Sequence, residues 1–453
     1  MPQGRSHSPD DSQPSPRSDW AGDRPDSSPT LPIHPLSWKD RKQGVIMQGG
    51  WRVGSLFGIP LFIDPSWFLI LAFLIYANGN VWQDKYPDWG WVLTYGAAAA
   101  MAILLFASVL LHELGHSLVA RSQGIKVNSI TLFLFGGVAS IEQESKTPGQ
   151  AFQVAIAGPA VSLALCGLLA VLLIAVPNQT NPVRVMAINL ASINLFLGLF
   201  NLLPGLPLDG GQILKAAVWK ATGSRFKGVH WAARTGKALG WLAILFGILT
   251  FVGGVSSGLW IGLIGWFVLQ NASSYDRLTE LQEALLSLKA ADAMTREFRV
   301  VDAEMSLRRF ADDYLLGNTK SDVYYASSDG RYRGMVMTDD LHYVERSEWE
   351  MQKLYRIIHP LAEIPSVEEA SPLVDAIQQM ESRQLRRMTV LSPAGAVSGV
   401  IDRGDIVRAL AGKLKMTVSD SLIKQIKDEG AYPPGFQLGA IAQAAVLASD
   451  TKA

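Results

Sequence analysis

Five long stretches of the chain carry no Asp, Glu, Lys or Arg: residues 65–83, 89–111, 151–183, 185–208 and 238–275. Each comes close to or exceeds the roughly 20 residues that a helix needs to cross a hydrocarbon core about 30 Å thick. The last is long enough for two crossings and is interrupted by Gly253, Gly254 and the Ser256-Ser257-Gly258 turn, which predicts two helices joined by a tight hairpin. The expectation is an α-helical multi-pass membrane domain of about six spans within residues 46–275. Residues 1–45 are rich in Ser, Pro and Asp without apolar periodicity, and read as a disordered tail. Because the first apolar stretch follows that polar segment, it does not read as a cleaved signal peptide.

Beyond residue 275 the pattern changes to that of a soluble protein, and it repeats. With a shift of 65 residues, Ser306, Ser327, Gly330, Gly334 and Asp340 fall on Ser371, Ser392, Gly395, Gly399 and Asp405. That period is too long for a solenoid unit and indicates a duplicated small domain. Each copy has a helical run, a β-rich pair around a Gly turn (323–337 and 388–401) and a second helix, so a soluble α/β pair packed face to face is expected. The copies are placed at 289–345 and 356–413, with 414–453 left as a C-terminal tail.

Composition agrees with this division. Hydrophobic residues make up 49% of the 453 and charged ones only 18%, against about a quarter in soluble domains. Forty basic and forty acidic side chains cancel, which argues against nucleic acid as a partner. A single cysteine, Cys166, excludes an intramolecular disulfide and a Cys-rich metal cluster, and its apolar surroundings suggest a buried thiol. Arg121, Lys126, Lys146, Lys215, Lys220, Arg225, Lys227 and Arg234 lie on one side of the expected spans, and only Lys85 and Arg184 on the other. The positive-inside bias then puts both termini and the duplicated half in the cytosol. Trp82, Trp89, Trp91 and Trp241 read as interfacial anchors, while His34 and His230 stand isolated and are expected to be solvated.

The chemistry lies at the end of the second stretch, in His112-Glu113-Leu114-Gly115-His116. On a helix the two His share a face and can ligate one Zn²⁺, with Glu113 placed to act on a water. Ionisable groups at membrane depth are costly, which favours a functional reading. A hydrolytic zinc needs a third protein ligand, and one acid fits the same depth and side: Asp209, in a Pro-Gly-Leu-Pro-Leu-Asp-Gly-Gly segment that breaks the helix after the fourth stretch.

Together with Asn201-Leu-Leu-Pro, Leu208-Asp-Gly, Gly58-Ile-Pro-Leu-Phe62, Phe135-Gly136-Gly137 and Ala157-Gly158-Pro159, these residues resemble the site-2 protease family of intramembrane zinc metalloproteases over about residues 51–271. The resemblance implies His112, His116 and Asp209 as zinc ligands, Glu113 as the catalytic base and proton carrier, and Asn201 as a polar residue near the developing oxyanion. It implies a single-span membrane substrate such as an anti-sigma factor or another membrane-tethered regulator, cut within the lipid bilayer. Asp64 stands where relatives often carry His, and Ser162 where many carry Asn. Residues 129–140 alternate like a strand, expected either to pair with an unwound substrate through an open edge, with Phe135, Gly136 and Gly137 in contact, or to form a hairpin plugging the site.

In the duplicated half, Gly334-Met-Val-Met-Thr-Asp-Asp340 and Gly399-Val-Ile-Asp-Arg-Gly-Asp405 resemble cystathionine-β-synthase (CBS) modules. The resemblance implies an adenine nucleotide held through Asp340 or Asp405, or a ligand-free docking module, and a homodimer formed through the modules. Met337 and Asp402 occupy positions where the family usually has a Thr beside the phosphates, which weighs against a polyphosphate. A second function class, a CBS-regulated transporter or channel using the same polar residues as an ion path, shares these membrane features. A base between two ligands four residues apart favours the protease.

Overall fold

The computed structural model describes residues 50–449 apart from Phe135, 177–178, 317–322 and Pro434. The expected tail over 1–45, His34 and Phe135 therefore lie outside the described residues. The chain opens with a hairpin of β1 (Trp51–Leu56) and β2 (Ile59–Ile63), whose two-residue loop has positive φ at both Phe57 and Gly58, the backbone twist a tight hairpin needs. Arg121 donates to the Phe57 carbonyl and braces this turn. After the first two helices, β3 (Val127–Phe133) and β4 (Gly136–Ile141) complete a four-stranded sheet in the order β1-β2-β3-β4, antiparallel except for β2 with β3. Residues 129–140 are thus two strands rather than one. β3 is paired on both sides, and β4 is left at the edge.

Seven helices form the apolar half: α1 (Ser66–Lys85), α2 (Gly90–Ser122), α3 (Pro148–Ala175), α4 (Pro182–Asn201), α5 (Asp209–Thr222), α6 (Arg225–Val252) and α7 (Gly258–Ser287). Their starts are written locally. The Thr147 hydroxyl, Asn181 amide and Ser224 hydroxyl each accept a first-turn N–H at α3, α4 and α6, with Pro148 and Pro182 at the first turn of α3 and α4. Among the described residues, four helices are long and apolar enough to cross a membrane: α2 with the turn before it, α3, α4 and α6. α1 and α7 fill the two other expected stretches, but Asn78, Asn80, Gln83 and Asp84 dilute α1, and Gln270, Asn271 and Asp276 dilute α7. Large apolar side chains such as Leu69, Leu168, Phe196 and Val252 point outward, as suits a bilayer-facing surface. Trp82 departs from the expected anchors: it is buried against Ala97, Ala98, Met101, Val185 and Leu190, edge-on to Trp89.

α6 ends at Val252 and α7 begins at Gly258, so the predicted hairpin lies between them. α7 does not stop at the apolar stretch. Its last turn, with Ala284 and Leu285, joins Leu373, Ile377, Met388 and Ile406 in one hydrophobic core of the soluble half, so a single helix enters both halves of the protein.

The two copies are both built as a parallel strand beside an antiparallel hairpin. In the first these are β5 (Arg299–Asp302), β6 (Tyr324–Ser328) and β7 (Arg331–Val336), with β8 (Ile358–Pro360) added at the far edge. The second has β9 (Ser366–Glu368), β10 (Arg387–Leu391) and β11 (Val397–Asp402). Val323 and Tyr325 of one pack with Val397 and Val400 of the other, and the Tyr325 and Thr389 hydroxyls bond at 2.7 Å across the interface. Among the described residues, helices of ten residues or more flank the second copy, α8 (Leu373–Ser382) and α9 (Arg403–Lys413), and not the first. The first has a four-residue helix, a π turn and a 3₁₀ segment at the equivalent places. The expected tail also folds, as α10 (Asp420–Glu429) and α11 (Leu438–Ser449), with Ile423 and Ile426 packed on Val407 and Leu438 and Ala442 in the soluble core.

Candidate metal centre

His112 and His116 lie one turn apart on α2, buried, with rings 4.9 Å apart. A loop containing the cis Leu206–Pro207 bond carries the chain back so that α5 starts at Asp209 beside them. Asp209 Oδ2 lies 3.2 Å from His112 Nε2 and 3.3 Å from His116 Nε2, and the two Nε2 atoms are 3.3 Å apart. A tetrahedral ion bonded at about 2.0–2.1 Å holds neighbouring ligand atoms about 3.3–3.4 Å apart, so this triangle has the dimensions of one face of a zinc site.

The outer nitrogens are engaged from α3. His116 Nδ1 donates to the Val154 carbonyl at 2.6 Å; a carbonyl only accepts, so the neutral ring keeps its lone pair on Nε2, facing the triangle. His112 Nδ1 lies 2.9 Å from Ser162 Oγ. Between these two contacts on the same face sits Gly158, where a Cβ would come within 2.2 Å of His116 Nε2 and 2.6 Å of His112 Nε2. A side chain there would fill the space where the ligand atoms converge. Donor chemistry, spacing and cradle all fit a zinc ion.

Glu113 points from the next position on α2 toward β4. Its carboxylate pairs with the Ala139 backbone N–H, and a Cβ on Gly137 would meet its Cγ at 2.8 Å. The edge strand therefore lies directly over the candidate base, and Gly136, at φ 134°, sits beside Val109 of the same helix. Asn201 closes α4 at the start of the loop that carries Asp209, half-buried, without a hydrogen bond to the trio. Past β4, Glu144 is held by Lys215 of α5 at 2.8 Å and Arg225 of α6 at 2.6 Å. Burial alone would raise the Glu144 carboxyl, but the two cations outweigh it and hold it down at about 2.

The other singled-out residues fall elsewhere. Asp340 is half-exposed and bonded to His359 Nε2 at 2.6 Å. Asp405 is 1% exposed. It forms a reciprocal capping box with Asp402 at the start of α9, and its oxygens meet Lys427 Nζ at 2.8 Å and an Arg408 nitrogen at 3.2 Å. As it stands, Asp405 offers no open carboxylate to a ribose. His230 is not solvated as expected: Asp276 holds its Nδ1 at 2.5 Å and Glu283 its Nε2 at 3.1 Å, both from α7. Cys166 is a free, partly buried thiol.

Ser162 and the Val154 carbonyl are the partners that sequence reasoning missed. The available signal was periodic: 154, 158 and 162 fall on one face of α3 at intervals of four, and Gly158 already belonged to a quoted motif.

Comparison with known proteins agrees with this centre. The description "Peptidase family M50" matches residues 100–187 and 179–243, and "CBS domain" matches residues 357–412. A Synechocystis sp. protein named as a zinc metalloprotease, sll0528, is 41% identical over 81% of this chain and 97% of its own length. Rip3 of Mycobacterium tuberculosis, also named as a zinc metalloprotease, is 35% identical over 80% of this chain and 93% of its own. The solved site-2 protease from Methanocaldococcus jannaschii is 32% identical over 50% of this chain and 95% of its own, with a TM-score of 0.36. With a relative 41% identical along nearly its whole length, and with the M50 match spanning the helices that carry His112, Glu113, His116 and Asp209, the chain belongs to peptidase family M50, as an integral membrane zinc metalloendopeptidase of the site-2 protease type with a CBS domain.

Proposed function

We propose that the protein hydrolyses a peptide bond in or near the transmembrane segment of a single-span substrate, a membrane-tethered regulator of the anti-sigma-factor kind. The observation that carries this reading is the triangle of His112, His116 and Asp209 with Glu113 directly under an edge strand. α1 and α7 cross the bilayer with the four more apolar helices, making six spans, and both termini and the CBS pair face the cytosol.

His112, His116 and Asp209 hold the Zn²⁺, which supplies Lewis acidity toward a water and the scissile carbonyl. Glu113 accepts the proton of the attacking water and returns it to the leaving amine nitrogen. Asn201 donates its amide N–H to the developing oxyanion. A helical peptide bond is shielded by its own hydrogen bonds, so the substrate must unwind, and β4, the edge strand whose Ala139 N–H meets Glu113, gives the unwound segment backbone partners. Gly136 and Gly137 keep that approach clear of side chains.

The CBS pair modulates this activity and brings two chains together as a homodimer. A cavity of about 720 Å³ between the copies, lined by Thr338, Asp339, Arg346, Trp349, Arg386 and Arg387, has the basic and aromatic character that an adenine nucleotide requires. Asp340, half-exposed next to the lining residue Asp339, would serve it by exchanging its bond to His359 for the ribose hydroxyls.

The test is cleavage of a single-span substrate in liposomes by the wild type and by Glu113→Gln, with bound zinc recorded in both. The expected result is equal zinc and no cleavage by the variant. A variant that cuts as fast as the wild type overturns the assignment of Glu113, and a wild type that binds no zinc overturns the centre.

A further inference from the structure

We infer that Ser162 is a positioning residue for the metal centre: its hydroxyl oxygen accepts the Nδ1 proton of His112 and so presents Nε2 as the ligating nitrogen. This deepens the reading of His112, His116 and Asp209 as ligands and rests on it.

The argument starts from proton bookkeeping. A neutral imidazole has one N–H and one lone pair. His112 Nε2 faces a carboxylate oxygen at 3.2 Å and the Nε2 of His116 at 3.3 Å. His116 Nε2 has a lone pair, because its proton is committed to the Val154 carbonyl. Asp209 Oδ2 and His116 Nε2 thus turn lone pairs toward one point, which a cation fills when His112 Nε2 offers a third. For His112 to contribute there, its proton must sit on Nδ1, where the neighbouring atom is Ser162 Oγ at 2.9 Å.

Unlike a carbonyl, a hydroxyl can donate or accept, so Ser162 does not force the tautomer alone. It makes the ligating tautomer cheap, because its oxygen offers lone pairs to a buried N–H that would otherwise have none. Ser162 is fully buried, on the α3 face that presses against α2. Removing the hydroxyl strands that N–H in a site shielded from water, and the cost falls on the form of His112 that binds metal. The two ligands are thus supported unequally. His116 is fixed by main chain, which no point substitution removes, whereas His112 depends on a side chain.

Zinc affinity measured by chelator competition on the full chain in detergent tests this, with Ser162→Ala, Ser162→Cys and Ser162→Thr beside the wild type and thermal unfolding of the metal-stripped forms run in parallel. Ala and Cys are expected to lose about 10–100-fold in zinc affinity, while Thr, which keeps the hydroxyl, stays within about threefold. The metal-stripped proteins are expected to unfold at one temperature. The inference is overturned if Ala and Cys bind zinc as tightly as the wild type, or if they lower the unfolding temperature of the stripped protein and leave affinity unchanged, which is the pattern of a packing residue. Should Ala fail to fold, the contrast between Cys and Thr still decides. Wild type without zinc affinity would instead sink the ligand reading itself, a distinguishable failure.

Discussion

Two clusters in this protein gather carboxylates and nitrogens, and they are built on opposite principles. Around Asp209 in the apolar half, the histidine nitrogens and the carboxylate oxygen turn toward one another, and glycine at 158 leaves the space beside them clear. Around Asp405 in the soluble half, the Asp402 backbone N–H, Lys427 and Arg408 meet the carboxylate, and the helix bearing Lys427 covers it. Burial would lower the Lys427 ammonium, but its bonds from Asp405 and Glu297 carry it above its ordinary value, so the cluster behaves as a self-neutralised joint. Converging ligand atoms mark a site built to hold a cation. Matched charges mark architecture, even where a motif suggests a ligand.

Substitutions on either side sharpen that contrast. The largest expected effect is from Asp209→Ala, which leaves two ligands: zinc retention and cleavage are both lost, as metal analysis beside a cleavage assay would record. Glu113→Gln comes next, with a loss of about 10²–10⁴ in turnover and zinc content unchanged. On the soluble side, Lys427→Met strands the Asp405 carboxylate and is expected to cost about 3–5 kcal/mol, read as a lowered thermal midpoint of the CBS transition. Zinc binding by that variant should be unaffected, and a coupled loss would break the comparison.

The smallest effect concerns Glu144. Its folded value, about 2, lies below the ordinary 4.5, so the stability it contributes is fully present above pH 4.5 and is lost as pH falls through that value toward 2. Glu144→Gln should flatten this acid limb of the unfolding curve. At neutral pH the same variant frees the segment after β4 from α5 and α6, and a severalfold rise in substrate KM with unchanged zinc content is the expected kinetic sign.

What the sequence disclosed follows from range. The i, i+4 spacing of His112 and His116 is a property of any helix, and charge-free runs of membrane length need no tertiary knowledge. Asp209 could be found because loops bring span ends to a common level. Partners set by packing were hidden. His230 looked isolated, yet its two acids come from 46 and 53 residues further on. Ser162 meets His112 from 50 residues away. Of the two options that 129–140 left open, the segment forms the β3–β4 hairpin, and the pairing of β3 with β2 comes from outside it. The covering of Asp405 by α10 also escaped notice, because an amphipathic turn of Lys and Ile after the last module says nothing about which face it will meet. The four-residue helix and 3₁₀ segment of the first copy were concealed by a repeat that is clearer in its Gly and Asp positions than in its helical ones.

One feature of the centre also bears on how the protein is made. Its ligands come from α2 and the start of α5, and His112 precedes Asp209 by 97 residues. A growing chain that has delivered α2 to the bilayer holds two histidines and a glutamate but no complete ligand set. The set closes only after α3 and α4 have been laid down and Asp209 has folded back. With the proposed ligand set, zinc capture is a late event in biogenesis, and a truncated or half-inserted chain is expected to lack proteolytic power. In a membrane crowded with single-span proteins, the order of synthesis is itself a safety catch.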